Sequence, residues 1–409
     1  MRIKFWVCLF FLLAANLLSA QNSCVSELML QEKLAGDAAF AARFSGNQKS
    51  FDHFLNYQKH LAFRSALVVP VVVHVVWYSE EQNISDEQIH SQIAVLNADF
   101  RALNCEIPNV PAEFQPLIAD MEIEFCLASV APDGSLTTGI TRTPTHLPRF
   151  DRFSKSIFHA DRGGADAWDT EHYLNIWIAP LGGTLGFAVF PGSATSPEED
   201  GIVIDPNYFG TIGLAENDAR FNLGRTATHE IGHYFNLLHT FGDEGENACD
   251  EDDGVEDTPL QGPANFGECP HYPQVSCGSS DMFMNFMNFA NDACLTMFSA
   301  GQKARVWAAI QFYRPGLLES GACGGQTSGE PVFGFSLAPN PARNYFQLIP
   351  KSAFFPKGHL RVFDMTGRII LDAENFPIAR KIETSTWQSG VYVVEITCAG
   401  KRWLGKLVR

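Results

Sequence analysis

The stretch His229-Glu-Ile-Gly-His-Tyr-Phe-Asn-Leu-Leu-His239 spaces three imidazoles at i, i+4 and i+10 and sets a glutamate beside the first. Residues four apart share a helix face, so His229 and His233 point the same way. At ~1.5 Å rise per residue, His239 on a straight helix would lie about 9 Å beyond His233 and on another face. All three can meet at one ion only if the chain bends between Phe235 and His239. Glycine normally makes such a bend, and this chain has Asn236 instead. After glycine, asparagine is the residue most willing to take left-handed dihedrals. The cost is about 1 kcal/mol, against ~10 kcal/mol or more from a well-formed zinc site. The bend is expected, with a slightly strained helix end.

Three histidines suit a catalytic Zn2+, whose fourth position stays open for water. Glu230 can reach that water without ligating the ion. Zinc lowers the pKa of its water to about 7, a carboxylate base then yields a nucleophile, and polarisation of a carbonyl completes the requirements for amide hydrolysis. The bland alternative, helix histidines that pack or cap, needs this spacing to arise by accident.

Working outward, the chain has 409 residues, room for two or three domains, and 46% apolar residues to build their cores. A net charge of −17 argues against nucleic acid or anionic membrane as a partner. The N-terminus, "MRIKFWVCLFFLLAANLLSAQ", has a basic start, an apolar run and small residues for cleavage, so residues 1–20 read as a signal peptide. The run is too short for a transmembrane anchor, and none is expected elsewhere. Export permits disulfides. Removing Cys8 with the signal leaves nine cysteines, an odd number, so at least one has no partner within the chain.

Residues 21–64 are polar and helix-prone. "ALVVPVVVHVVWY" (66–78) is a buried strand, and "SDEQIHSQIAVLNADF" is a helix with Ser85 and Gln88 spaced as a capping box. "MEIEFCLASV", "YLNIWIAP", "LGFAVF" and "GIVIDP" read as further strands, and "SAGQKARVWAAIQFY" (299–313) as a closing helix. These elements predict an α/β (α+β) domain with a twisted mixed sheet, the histidine-bearing helix and an irregular half rich in cysteine. Residues 323–332 read as a linker. Residues 333–409 are short strands and turns, enough for a small all-β, immunoglobulin-like sandwich.

"GRTATHEIGHYFNLLHTFG", together with "DGVEDTPLQ" (253–261) and "MNFMNFANDACLTMFSAGQ" (284–302), resembles the pappalysin-type (cytophagalysin/ulilysin-like) branch of the metzincin zinc metalloendopeptidases over roughly 66–320. The resemblance implies His229, His233 and His239 as zinc ligands, Glu230 as general base and Met287 as the Met-turn methionine beneath the ion. It implies the pairs Cys249–Cys277 and Cys269–Cys294, and protein or peptide substrates bound in extended form along "GGTLGFAVFPG" (182–192). Ala293 would border the pocket beyond the scissile bond. The family commonly has tyrosine two residues after the methionine. Here Phe289 lacks that hydroxyl, which implies reduced or altered activity.

Cys24, in "QNSCVSE", resembles the family's prosegment cysteine, whose thiolate fills the open zinc position and keeps the enzyme latent. Removal of residues 21–64 would activate it, with Arg64-Ser65 as the expected cut. Nine carboxylates fall in 243–257; the resemblance implies Ca2+ there, with Asp253, Asp257 and Thr258 as candidates, while a solvated acidic loop is the plain alternative. Cys105 and Cys126 flank one loop and can pair, though spacing alone does not decide it, and Cys323 and Cys398 have no assigned partner. "FSLAPNPARNYF", "LRVFDMTGRIIL", "SGVYVVEI" and "GKLVR" resemble the C-terminal sorting domain of type IX secretion cargo, implying that secretion machinery as a partner and a secreted or cell-surface destination. The domain order expected is 1–20 signal, 21–64 prosegment, 65–322 catalytic domain, 323–332 linker and 333–409 sorting domain. A weak or inactive surface adhesin on the same scaffold is the rival expectation, raised by Phe289 and Asn236; the intact Glu230 argues against it. Three histidines alone also fit hydrolysis of non-peptide bonds.

Overall fold

The long apolar run becomes the central strand of the catalytic half. In the computed structural model, which describes residues 24–58, 66–151, 155–242, 248–324, 333–351, 355, 357–378 and 380–409, β1 (Leu67–Trp77) is buried along most of its length. On one side it pairs in parallel with β2 (Ile123–Leu127) and then β3 (Ile140–Pro144); on the other it pairs with β4 (Leu174–Ile178). The short strand β5 (Gly186–Ala188) closes the sheet, running antiparallel to β6 (Ile202–Ile204), which in turn pairs with β4. The order is β2-β1-β4-β6-β5, with β3 extending the β2 edge. β3 was not anticipated; "ITRTP" is polar and half-exposed, without the alternation that marks a strand.

Helix α3 (Asp86–Phe100) covers one face, its N-terminus capped where Ser85 Oγ accepts the Gln88 N–H. Its Ile89, Ile93, Leu96 and Phe100 join the sheet's Val71, Val73 and Ile176 in the main core. Under them lies α4 (Arg225–Tyr234), with all ten residues buried. Helix α5 (Ala300–Tyr313) begins at a capping box made by Ser299 and Gln302. Ahead of the sheet come α1 (Ser26–Gly36) and α2 (Ala38–Gln58). Phe51 of α2 packs its ring against Phe312 and Tyr313 of α5.

The C-terminal part is a two-sheet sandwich. β7 (Phe335–Ala338), β8 (Tyr345–Pro350) and β11 (Ile382–Glu383) form one sheet; β9 (Lys357–Asp364), β10 (Ile369–Pro377), β12 (Val391–Cys398) and β13 (Lys401–Val408) form the other. Phe346, Leu348, Leu360, Val362, Val394 and Ile396 fill the space between them.

Four disulfides are present among the described residues. Cys249–Cys277 and Cys269–Cys294 staple the irregular stretch after α4. Cys105 does not pair with Cys126: Cys105 bonds Cys398 and Cys126 bonds Cys323. Among the described residues Cys24 is the cysteine left free. No helix among them is long and apolar enough to cross a membrane. The expected signal peptide (1–20), the cut at Arg64-Ser65, most of the linker (325–332) and acidic residues 243–247 lie outside the described residues.

Candidate active site

Helix α4 ends at Tyr234 with Phe235 as its C-cap, and Asn236 takes φ 70°, the left-handed conformation. Leu237 N–H then donates to Gly232 O at 2.9 Å, and Asn236 N–H to His233 O at 2.9 Å. That pair of bonds is the Schellman pattern, and it turns the chain sharply enough to bring His239 back to the helix. Arg305 of α5 holds the turn from outside, donating Nε–H to Asn236 O at 2.7 Å. The Asn236 amide nitrogen is buried without a hydrogen-bond partner, a cost that glycine would not incur.

The three imidazoles converge. His229 Nε2 lies 3.1 Å from His233 Nε2 and 3.3 Å from His239 Nε2, and the remaining pair is 3.1 Å apart. His229 Nδ1 faces Phe286 O at 2.7 Å and His233 Nδ1 faces Leu237 O at 2.8 Å. A carbonyl accepts, so both Nδ1 atoms carry the proton and both Nε2 lone pairs point inward. Burial drives His229 down to about 3, aided by His239, and drives His233 well below its ordinary value, so both rings are neutral. Converging lone pairs with no proton between them repel unless a cation sits among them. Tetrahedral Zn–N bonds of ~2.0–2.1 Å would separate such nitrogens by about 3.3 Å, so the donor set fits zinc.

Arg225 opens the helix buried, ion-paired with Asp99 and, at 3.2 Å, with Glu106; Thr228 Oγ donates to Asp99 Oδ2 at 2.7 Å. Below the histidines Met287 is wholly buried, and a Cβ at Gly232 would run into its sulfur. The Phe289 ring stands 4.6 Å from that of His239 and 5.7 Å from that of His229, with no hydroxyl to offer.

Glu230 is fully buried, and burial raises it to about 7, against the downward pull of hydrogen bonds from Ser26 and Cys24. Ser26 Oγ–H donates to Glu230 Oε2 at 2.8 Å while accepting the Ala188 N–H at 2.8 Å. Cys24 Sγ lies 3.5 Å from the same carboxylate oxygen and within 4.8 Å of the three histidine nitrogens. Its backbone bridges Gly186 of β5 in parallel. Glu27 takes the His239 N–H at 2.6 Å and faces its Nδ1 at 3.2 Å; burial pulls this carboxyl upward, but His239 brings it down to about 2. Residues 24–27 thus fill the cleft between β5 and the histidines.

Leu185, Phe221, Phe289, Ala290, Asp292 and Leu295 line an adjoining pocket. Ala293 is exposed and lies outside that lining, because the short 3-10 turn Asp292–Cys294 points its neighbours inward instead. Asp253 and Thr258 are brought together, with Thr258 Oγ 2.8 Å from Asp253 Oδ1. Asp257 faces elsewhere, accepting the Ser299 hydroxyl and, at 2.9 Å, the Gly301 N–H at the start of α5. Sequence reading missed Ser26, Glu27, Asp99, Arg225 and Arg305. A charge inside an otherwise apolar helix face was the available signal for Asp99; the others carry none.

Comparison with known proteins agrees with this geometry. Residues 159–311 match the peptidase family described as Pregnancy-associated plasma protein-A, and 336–409 match the Secretion system C-terminal sorting domain. An extracellular metalloprotease of Arthroderma gypseum is 33% identical over 256 residues, 61% of this chain and 74% of that protein; one of Arthroderma otae is 37% identical over 259 residues, 62% and 81%. The structure of Tannerella forsythia promirolysin, a point mutant, superposes with TM-score 0.65 at 35% identity over 76% of this chain and all of that one. Mature mirolysin of the same organism, in complex with a cleaved peptide, gives 0.59 at 40% over 63% and 98%. The chain belongs to the pappalysin-type metzincins: it is a zinc metalloendopeptidase that carries a type IX secretion sorting domain.

Proposed function

We propose that this chain is the zymogen of a secreted endopeptidase in which His229, His233 and His239 hold zinc, Glu230 is the general base, Met287 is the floor of the site and Cys24 enforces latency. Residues 1–20 are its signal peptide, 21–64 the prosegment, 65–322 the catalytic domain, 323–332 a linker and 333–409 the module read by the secretion machinery. The observation that carries this reading is the convergence of three Nε2 lone pairs beside the buried Glu230 carboxylate, a group able to take and give a proton.

When bound, zinc supplies Lewis acidity, lowering the pKa of a water and polarising the scissile carbonyl. Glu230 removes a proton from the attacking water and returns it to the leaving nitrogen as the C–N bond breaks. β5, an edge strand, offers backbone groups to an extended peptide. Ser26 occupies both Glu230 and the Ala188 N–H, so the base and part of the rim are blocked until the prosegment leaves. The adhesin reading is not favoured, since a binding surface has no use for a buried base. Glu230→Ala should retain one zinc per chain and lose roughly a thousandfold in peptide cleavage. Cleavage at the parent rate would reject the assignment.

Calcium is the second ion proposed, at Asp253 and Thr258. Burial raises Asp253 to about 7, a cost that a hard cation would offset. Asp257 is a weak candidate because both its oxygens serve α5. A calcium-dependent rise in Tm that Asp253→Asn abolishes would support the site, and an unchanged Tm would dismiss it.

A further inference from the structure

The sorting module does not hang on its linker. Cys398, the last residue of β12, is bonded to Cys105 in the loop after α3, 293 residues earlier. Leu103 and Cys105 of that loop pack against the core of the sandwich. Beside the disulfide, Lys357 at the start of β9 is 1% exposed and ion-paired with Glu106, itself 6% exposed. Glu106 also meets Arg225 at 3.2 Å, and Arg225 pairs with Asp99. A lysine of the module therefore ends a buried chain of charges that reaches the first residue of the active-site helix. At the rim, Arg380 meets Glu216 at 3.3 Å. The catalytic half is closed separately, by Cys126–Cys323 just before the linker.

We infer that the C-terminal module is a docked partner of the catalytic domain, held by the Cys105–Cys398 bond and the Lys357–Glu106 pair, and that it stays attached after the backbone between them is cut. Hydrolysis of a peptide bond between Gly324 and Phe333 adds one water and yields two chains, but leaves the sulfur–sulfur bond intact. Release then needs a thiol reductant, which gives two electrons and two protons to form two thiols and is itself oxidised to a disulfide. Export and removal of the backbone link would thus be separable from release of the module. A polar docking surface also explains why Glu106 is buried: without Lys357 it would keep only Arg225, and an under-compensated buried carboxylate is costly. The inference rests on the sorting-domain reading for its biological meaning alone; the tether is a property of the folded chain.

The test uses the full chain, produced in an oxidising compartment, with a site-specific protease sequence placed between Gly324 and Phe333. After cutting, a denaturing gel without reductant should show one species of full mass, and the same sample with dithiothreitol should show two. Peptide mapping of the uncut parent should recover Cys105 joined to Cys398. Two species without reductant, or Cys398 found as a free thiol or on another partner, would overturn the tether. Cys398→Ala, cut in the same way, should separate on the denaturing gel but co-elute on native size exclusion through the Lys357 contact. Separation on the native column would overturn the docking. The peptide map decides the bond whether or not that variant folds, and peptide cleavage assayed on the cut parent after removal of the prosegment reads the protease assignment independently.

Discussion

Asn236 concentrates the chemistry of the site in one backbone angle. Its φ of 70° costs about 1 kcal/mol for a residue with a Cβ, and its buried amide nitrogen lacks a partner. Asn236→Gly removes both costs while retaining the bonds from Leu237 and Asn236 N–H. It should raise stability by about 1 kcal/mol, read as a higher denaturant midpoint at unchanged slope, with zinc content unaltered. A lower midpoint would mean that the asparagine makes a contact that matters more than its strain. The bend was legible in the sequence because three histidines at this spacing demand it. Arg305, which clamps the turn through a carbonyl, was not legible, because a donor from a helix 69 residues away leaves no local pattern.

At the scale of elements, the prosegment works as a plug in an edge-strand groove. Cys24, Ser26 and Glu27 engage the histidine cluster, Glu230 and His239 in turn, while α2 docks on α5 through Phe51. Loss of one anchor leaves the others, so Cys24→Ala alone should leak weakly. The double variant Cys24→Ala, Ser26→Ala should cleave a peptide before prosegment removal at a rate at least about tenfold above that of the parent zymogen. A fully silent double variant would place latency in the helices instead. The cysteine was readable by resemblance. Ser26 and Glu27 were not, since a serine and a glutamate near a helix start read as ordinary capping residues.

The sheet supplies a pH dependence of its own. His74 of β1 is 1% exposed, held between Thr141 at 2.8 Å and Asn175 at 3.0 Å, and burial lowers it from 6.5 to about 4. Between those two values the unfolded chain binds more protons than the folded one, so stability rises with pH across the window and is lost as pH falls through it. The loss should be about 3 kcal/mol at most, seen as a fall in denaturant midpoint between pH 7 and pH 4. His74→Gln should flatten that slope. If the variant titrates like the parent, the acid sensitivity lies elsewhere. "VVVHVV" showed a histidine in a buried strand, but its partners sit on β3 and β4, one of which the sequence did not announce.

Over the whole molecule, the two halves were visible as a change of composition near residue 323, and the sandwich followed from short strands with regular turns. How they join was hidden. Four disulfides among eight cysteines allow 105 connectivities, and two of the pairs, Cys105–Cys398 and Cys126–Cys323, span 293 and 197 residues. Pairings of that reach depend on the packed fold, which is why Cys105 and Cys126, near each other in sequence, proved to have other partners. Both ion-paired ends of the interface, Glu106 and Lys357, read as surface residues until the second domain covers them.

The central claim is that a turn at residue 236 assembles one three-histidine ion site. Elemental analysis of the matured protein, set beside a His239→Ala variant, tests it most directly. One zinc per chain in the parent, lost or sharply weakened in the variant while the fold is retained, is the expected result. No stoichiometric transition metal in the parent, or undiminished zinc in a folded His239→Ala protein, would contradict it.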